Sequence, residues 1–454
     1  MAMTGAAQVP PRDRWTLGPI PEAPPATAAR GLGIWYVRLF ALAIFFPYPA
    51  LSIGNNSGLQ LGEAMALLAT LALVHRPPCR SFHVMVVIVT TMMVSNFLNL
   101  MRYVPPRPDG MPKEAISYAV ALWPLWPSTF LAARGRFRDA LVAASLATLT
   151  HAAVGAYQMY AFTKNEFPLL WLYRNPSFMP MSSWAESYAT YMKRPCGLFP
   201  EPSAMGAALG PWLVILACQS LLPSPALGLS RRDRRLFLIA SVAGLALLGL
   251  SRSGSSVATV GALLLVLAAK VGPVLRAYGN AGVVALAGVV ILAVGSAGYM
   301  VTQVGGDLDS RIESSWGLRG RSIYEALTVN ASSIAFFTGL GAGQAEVKIQ
   351  ELMADVPLSG GAEKVAVWSL VANYYMEHGL LGAFAMAVTF GMTVRGVRRS
   401  SEVALGAGAL LAWLVGVTVT TSYLHIISIW VFLGALLEWD KIFPPAKSIQ
   451  GGAS

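Results

Sequence analysis

The sequence is divided into apolar runs of about 20 residues, the length at which an α-helix crosses roughly 30 Å of hydrocarbon. They lie near 34–53, 60–74, 81–100, 116–133, 140–162, 204–222, 236–250, 254–269, 280–302, 366–390, 403–422 and 426–439. Hydrocarbon offers the backbone no water, so each crossing must pair its own N–H and C=O groups, as helices do. The alternating strands of a membrane barrel are not in the pattern. Composition agrees: the chain is 55% hydrophobic and 12% charged, against about 25% charged in soluble domains. The expectation is an all-α integral membrane protein of about 12 transmembrane helices. It comprises a single polytopic domain over 34–442, a tail over 1–33 and a tail over 443–454.

A net charge of +11 invites a nucleic-acid reading, but the basic residues sit in short clusters between apolar runs, the pattern that orients membrane helices. The clusters are Arg12/Arg14/Arg30, Arg76/Arg80, Arg134/Arg136/Arg138, Arg231/Arg232/Arg234/Arg235, Lys270/Arg276, Arg395/Arg398/Arg399 and Lys441/Lys447. With twelve helices all fall on one side, which then holds 19 of the 33 Lys and Arg residues. That side is assigned to the cytoplasm, with both termini. The Pro- and Ala-rich stretch up to about Gly31 has no signal-peptide h-region and reads as a disordered cytoplasmic tail. Cys79, Cys196 and Cys218 form neither a CxxC motif nor an even framework, so neither a disulfide scaffold nor a metal site is indicated. The opposite side carries two long loops, about 164–203 and 303–365, rich in Trp, Tyr, Arg and Glu. Loops of that length are usually functional.

The first long loop ends in Arg194-Pro-Cys-Gly-Leu-Phe-Pro-Glu201-Pro-Ser203 and enters a helix directly. A helix N-terminus suits an anion, and Arg194 adds a guanidinium fork that matches phosphate; the plain alternative is an arginine snorkelling to headgroups. Residues 250–256 set Arg252 alone among small residues in a turn on the side that disfavours positive charge. Either it serves a ligand or the segment is a tight turn with serine caps. The second loop holds Arg311, Arg319, Arg321, Tyr324 and Glu325, then Gly339-Leu-Gly341-Ala-Gly343. Its segment from about 321 to 337 reads as an amphipathic interfacial helix, and its glycines as a flexible or tightly turned connection. The 366–390 run opens with Trp368, Asn373, Tyr374, Glu377, His378, Gly379 and Gly382. Asn373 and Glu377 share one helix face and Tyr374 and His378 the next. A carboxylate this deep is costly unless paired, so the group is either an interhelical hydrogen-bonding cluster or part of a catalytic site.

In chain order these segments resemble the O-antigen ligase and O-antigen polymerase superfamily of membrane glycosyltransferases, over about residues 190–385. The resemblance is carried by Arg194-x-x-Gly197-x-x-x-Glu201-Pro-Ser203 and by Leu250-Ser251-Arg252-Ser253-Gly254 at a helix end. Arg321-x-x-Tyr324-x-x-Leu327 with Gly339-Leu-Gly341-x-Gly343, and Glu377-x-Gly379-Leu-Leu-Gly382, complete it. Members take a glycan from undecaprenyl pyrophosphate in the periplasm and pass its reducing-end sugar to an acceptor hydroxyl. In polymerases the acceptor is another carrier-linked repeat unit; in ligases it is the lipid A–core.

The resemblance implies a bacterial inner-membrane enzyme with its active site facing the periplasm, metal-independent and without a cofactor. It implies that Arg194, Arg252 and one of Arg319 or Arg321 contact pyrophosphate or nearby acidic groups. Asn373 and Tyr374 join this substrate-binding set, and Glu201, Glu377 and His378 are candidates to take the acceptor's proton. The partners implied are the carrier-linked glycan, an acceptor glycan or lipid A–core, membrane lipids and other polysaccharide-assembly proteins. Ligases carry a His-Asn pair where this chain has Trp368 and Ser369. That departure, with the Glu201-Pro-Ser203 variant, favours a polymerase over a ligase. A flippase of lipid-linked oligosaccharide is a further alternative, but the sequence lacks the internal repeat and paired broken helices usual in transporters. A reporter fused after Ser310 is expected to read periplasmic and one after Arg399 cytoplasmic; the same side for both overturns the twelve-helix alternation.

Overall fold

The computed structural model describes residues 34–52, 58–73, 79–102, 110–132, 136–175, 178, 185–186, 188–272, 317–330, 335–354, 367, 369–420 and 424–445. The expected 1–33 tail, the 280–302 run and residues 446–454 lie outside the described residues. The described chain is helical apart from one antiparallel hairpin, β1 (Ala50–Ser52) with β2 (Gly58–Gln60).

Eleven of the twelve apolar runs contain a helix. These are α1 (Ile34–Ala43), α2 (Leu61–Leu73), α3 (Arg80–Arg102), α4 (Gly110–Leu122), α5 (Arg136–Phe162), α6 (Pro202–Leu221), α7 (Arg231–Ser251) and α8 (Gly254–Ala269). In the second long loop follow α9 (Gly317–Thr328), α10 (Ala335–Thr338) and α11 (Gln344–Leu352). The last runs give α12 (Leu370–Arg398), α13 (Val403–Val415) and α14 (Ile427–Leu437), closed by the short α15 (Trp439–Ile442). Among the described residues five helices are long and apolar enough to cross a membrane: Arg80–Met101, Arg136–Phe162, Pro202–Leu221, Arg231–Ser251 and Leu370–Arg398. The protein is therefore an all-α, multi-pass membrane protein.

Several runs do not become the uniform spans that hydropathy predicts. The 34–53 run is helical only to Ala43 and ends in β1, with Pro47 and Pro49 between; proline removes a donor and clashes with the preceding turn. Ten helical residues rise about 15 Å, half the hydrocarbon thickness. The 116–133 run stops its α-helix at Leu122 and continues as 3-10 turns at Trp123–Leu125 and Pro127–Phe130, each with proline at its start. The expected interfacial helix over 321–337 is two pieces, α9 and α10.

All twenty residues of α6 are buried, as expected of a helix apolar on every face. Helices α5, α7, α8, α13 and α14 enclose it. At its centre Trp212 meets Phe45 and Phe432 edge-on, with centroids 5.5 and 5.1 Å away, and stacks on Phe137. Small residues bring the neighbours close: Gly206 faces Ser255 and Gly210 faces Thr259 across α8.

The contacts define two ends. At one, Arg80 forms a fork on Asp440 (2.8 and 2.6 Å), Arg138 pairs with Asp233 (2.8 Å) and Lys270 with Glu402. Phe137 packs on Trp439 there, and Gly396 lies against the Leu437 carbonyl. Arg80, Arg138 and Lys270, described members of three of the basic clusters of the sequence, thus lie at this end. At the other end lie the start of α6, the α7–α8 turn, the start of α12 and the end of α3.

A Cβ at position 210 would overlap Thr259 Oγ1, whereas one at Gly261 of α8 meets nothing within 4 Å. Gly210→Ala is expected to destabilise by about 1–3 kcal/mol, and Gly261→Ala to be neutral or to stabilise by up to about 1 kcal/mol. Thermal unfolding in detergent measures both, and equal effects would contradict the close α6–α8 packing.

Candidate functional site

The Arg194–Ser203 segment is held by side chains that rise from α5. Gln158 accepts from the amides of Cys196 and Gly197 (3.0 Å each) and donates to the Gly197 carbonyl (3.0 Å) and Tyr173 (2.8 Å). One helical stretch below, His151 Nδ1 accepts from the Leu198 amide (3.0 Å), so its proton sits on Nε2, 3.0 Å from the Phe45 carbonyl. Phe46 and Phe199 flank the ring. The buried Cys196 thiol is pushed up to about 12 by desolvation, which leaves it unreactive.

Arg194 then reaches the α7–α8 turn, where its Nε donates to the Ser251 carbonyl and its Nη2 to the Arg252 carbonyl, both at 2.8 Å. Those carbonyls close α7, whose C-cap is Arg252 in the left-handed conformation (φ 50°, ψ 41°). The sequence reading gave Arg194 to an anion; in the structure its fork first holds the backbone of the second arginine. Hydroxyls of Ser251, Ser253, Ser255 and Ser256 form a chain behind the turn, and Ser255 donates to the Ser203 carbonyl (3.1 Å). Glu201 is the extended N-cap of α6, with Pro202 at the first position and the Ser203 hydroxyl on its carboxylate. Arg194, Glu201, Ser203 and the Arg252 turn thus meet at the amino end of α6.

A second cluster surrounds a break in α12. Gly379 has φ 56° and ψ −144°, a region open essentially to glycine alone. The break diverts backbone acceptors from their intrahelical donors. The loop after α10 supplies replacements: Leu340 N–H donates to the Met376 carbonyl (3.0 Å) and Gly341 N–H to that of Glu377 (2.8 Å). Asn330 Nδ2 adds bonds to the Tyr375 and Met376 carbonyls (3.0 and 3.1 Å). Gly339, at φ 67°, lies so close that a Cβ there would overlap the Glu377–His378 peptide.

Glu377, 1% exposed, accepts from the Gly343 amide (2.9 Å) and from Tyr118 (3.3 Å). His378, fully buried, is 3.2 Å from Ser95 Oγ and edge-on to Tyr374, whose hydroxyl donates to the Ile88 carbonyl. Asn96 accepts from the Ala342 amide (2.8 Å), and Asn99 exchanges bonds with Thr338. Both side chains are buried, each with one polar atom bonded and one, Glu377 Oε2 and His378 Nε2, without a hydrogen-bond partner among the described residues.

The two clusters are separate, and the Gly416–Thr420 turn after α13 touches both α6 and α12. Arg321 is on α9, exposed and 3.9 Å from Glu325; Arg319 belongs to the same helix, and its side chain lies outside the described residues. Asn373 is half-buried on α12, and Ser369 caps that helix through the Ala372 amide (3.1 Å). Trp368 lies outside the described residues.

Sequence reasoning missed Gln158, His151, Asn330, and the Ser95, Asn96 and Asn99 stripe. A signal existed: polar residues within the 140–162 and 81–100 runs, at helical spacing, have to find partners in an apolar layer. No protein-family model matches this chain, and no curated protein matches it.

Glu377→Gln keeps an acceptor for Gly343 and Tyr118, so near-normal accumulation is expected. Glu377→Leu strands those donors at about 1–3 kcal/mol each and should lower the folded yield. Gly339→Ala should lower it further, since backbone must move. Normal folded yield and melting temperature for Gly339→Ala would contradict the docked glycine loop.

Proposed function

We propose that this protein is a membrane glycosyltransferase of the polymerase kind, facing the periplasm of a bacterial inner membrane. On this reading it moves a glycan from undecaprenyl pyrophosphate to a hydroxyl of a second carrier-linked glycan. The observation that carries the reading is the coupling of Arg194 to the Arg252 turn beside Glu201 and the amino end of α6. Two segments that carry the family resemblance, more than fifty residues apart, are joined there by paired hydrogen bonds.

In the reaction the acceptor oxygen attacks the anomeric carbon, the bond from that carbon to the pyrophosphate oxygen breaks, and the pyrophosphate leaves with the electron pair. Negative charge grows on the leaving oxygen, where a fixed guanidinium stabilises it without reorganising. Arg252 is assigned to that task, and Arg194 holds it in position. Glu201, part-exposed at the helix start, takes the acceptor's proton. Glu377 and His378 keep α12 and the glycine loop docked. Ser369, which stands where ligases carry asparagine, is used as a helix cap, and this supports the polymerase over the ligase.

Purified protein in liposomes with polyprenyl-pyrophosphate-linked oligosaccharide tests the reading: longer carrier-linked glycan is the expected product. Arg252→Ala should reduce the rate by about 100-fold, or about 2.7 kcal/mol of transition-state stabilisation. Arg252→Lys should lose about tenfold, since ammonium cannot form the planar fork, and Glu377→Gln should stay within about threefold. Transfer to lipid A–core would make the protein a ligase; movement of the donor across the bilayer without elongation would make it a flippase.

A further inference from the structure

Three arginines at the far end of α12 from Glu377 take no part in the transfer site. Arg395, Arg398 and Arg399 stand at i, i+3 and i+4, on one side of the helix. With Gly391 and Val394 they line a shallow recess of about 410 Å³. All three are exposed, and none of their guanidiniums has an ion-pair or hydrogen-bond partner among the described residues. Several other basic residues at this end are paired, Arg80 with Asp440, Arg138 with Asp233, Lys270 with Glu402 and Lys441 with Glu438, while Arg231, Arg232 and Arg235 at the start of α7 are exposed in the same way as the three on α12.

Like charges at this spacing repel. The helix C-terminus accommodates a cation, but that does not account for three of them around one concavity. The floor differs from the rim. Gly391 presents no side chain, nothing lies within 4 Å of where its Cβ would be, and Val394 is apolar. Phe390 and Phe384, further along α12 toward its middle, are exposed large apolar side chains. A cationic rim over an apolar floor complements an anion attached to hydrocarbon.

We infer that this recess binds an anionic phospholipid, with the phosphate held by Arg395, Arg398 and Arg399 and an acyl chain lying over Gly391 and Val394. Guanidinium forks match phosphate oxygens two by two. Basic pockets at the ends of membrane helices take such headgroups. Free phosphate shares the headgroup chemistry but gains nothing from the apolar floor. The site is independent of the proposed transfer reaction and stands if that reaction fails.

Native mass spectrometry of the full-length protein tests it, with added phosphatidylglycerol, cardiolipin, phosphatidylcholine or inorganic phosphate. Phosphatidylglycerol and cardiolipin should bind at least about tenfold more tightly than phosphatidylcholine. The triple variant Arg395→Gln/Arg398→Gln/Arg399→Gln should lose that preference. The matching lysine triple keeps the charge that orients the helix, and should bind measurably more weakly than wild type for lack of the fork. Arg231→Gln/Arg232→Gln/Arg235→Gln, which removes exposed charges on α7, should leave binding unchanged. Equal loss in that control would reduce the effect to overall charge and overturn the site. Undiminished binding in both Arg395/Arg398/Arg399 triples would do the same, as would displacement of the lipid by equimolar inorganic phosphate.

Discussion

A helix broken within an apolar layer leaves carbonyl oxygens that no water will bond, and much of this structure answers that constraint at Gly379. The Tyr375, Met376 and Glu377 carbonyls are taken by Asn330, Leu340 and Gly341. Each donor is fixed in turn. The Gly339–Gly343 loop is pinned by Asn96 on α3 and by Glu377 itself. The preceding Thr338 is tied to Ser95 and Asn99. The buried carboxylate is thus part of the repair of the backbone that Gly379 interrupts. The Met376 carbonyl takes two donors, Leu340 and Asn330, while that of Glu377 takes Gly341; a buried acceptor left unpaired costs more than the bond itself contributes.

The amino end of α6 follows the same logic with other means. Gln158 and His151, seven residues apart on one face of α5, bond the backbone of the loop that carries Arg194. Arg194 bonds the backbone of the turn that carries Arg252. The chain of command runs from a rigid helix through two loops to a single guanidinium. Such preorganisation is what electrostatic stabilisation of a developing charge requires. The all-buried α6, with Trp212 at its centre, is the fixed body against which both loops are measured.

Much of this was legible in the sequence. Apolar run length located the described helices, and Arg138 and Lys270, members of two of the basic clusters, pair with Asp233 and Glu402 at neighbouring helix ends. The deep carboxylate at Glu377 announced a need for partners. The partners themselves were not legible, because Tyr118 and Gly343 come from distant parts of the chain and periodicity carries no long-range information. Local chemistry was underweighted in two places. Pro47 and Pro49 end α1 well before its apolar run does, and Pro124 and Pro127 convert the end of α4 to 3-10 turns. The carbonyl contacts of Arg194 were not legible for a different reason: its fork fits carbonyl oxygens as well as phosphate, and composition does not distinguish them.

The kink at Gly379 also bears on assembly. The donors that satisfy it, Asn330, Leu340 and Gly341, precede α12 in the chain and are made before it leaves the ribosome. A nascent α12 can enter the bilayer as a straight rod with every carbonyl bonded within itself, glycine included. Only when the glycine loop arrives can the rod bend, exchanging internal bonds for bonds to the loop. Insertion and bending are then distinct events, and the second reports that the glycine loop has found its place.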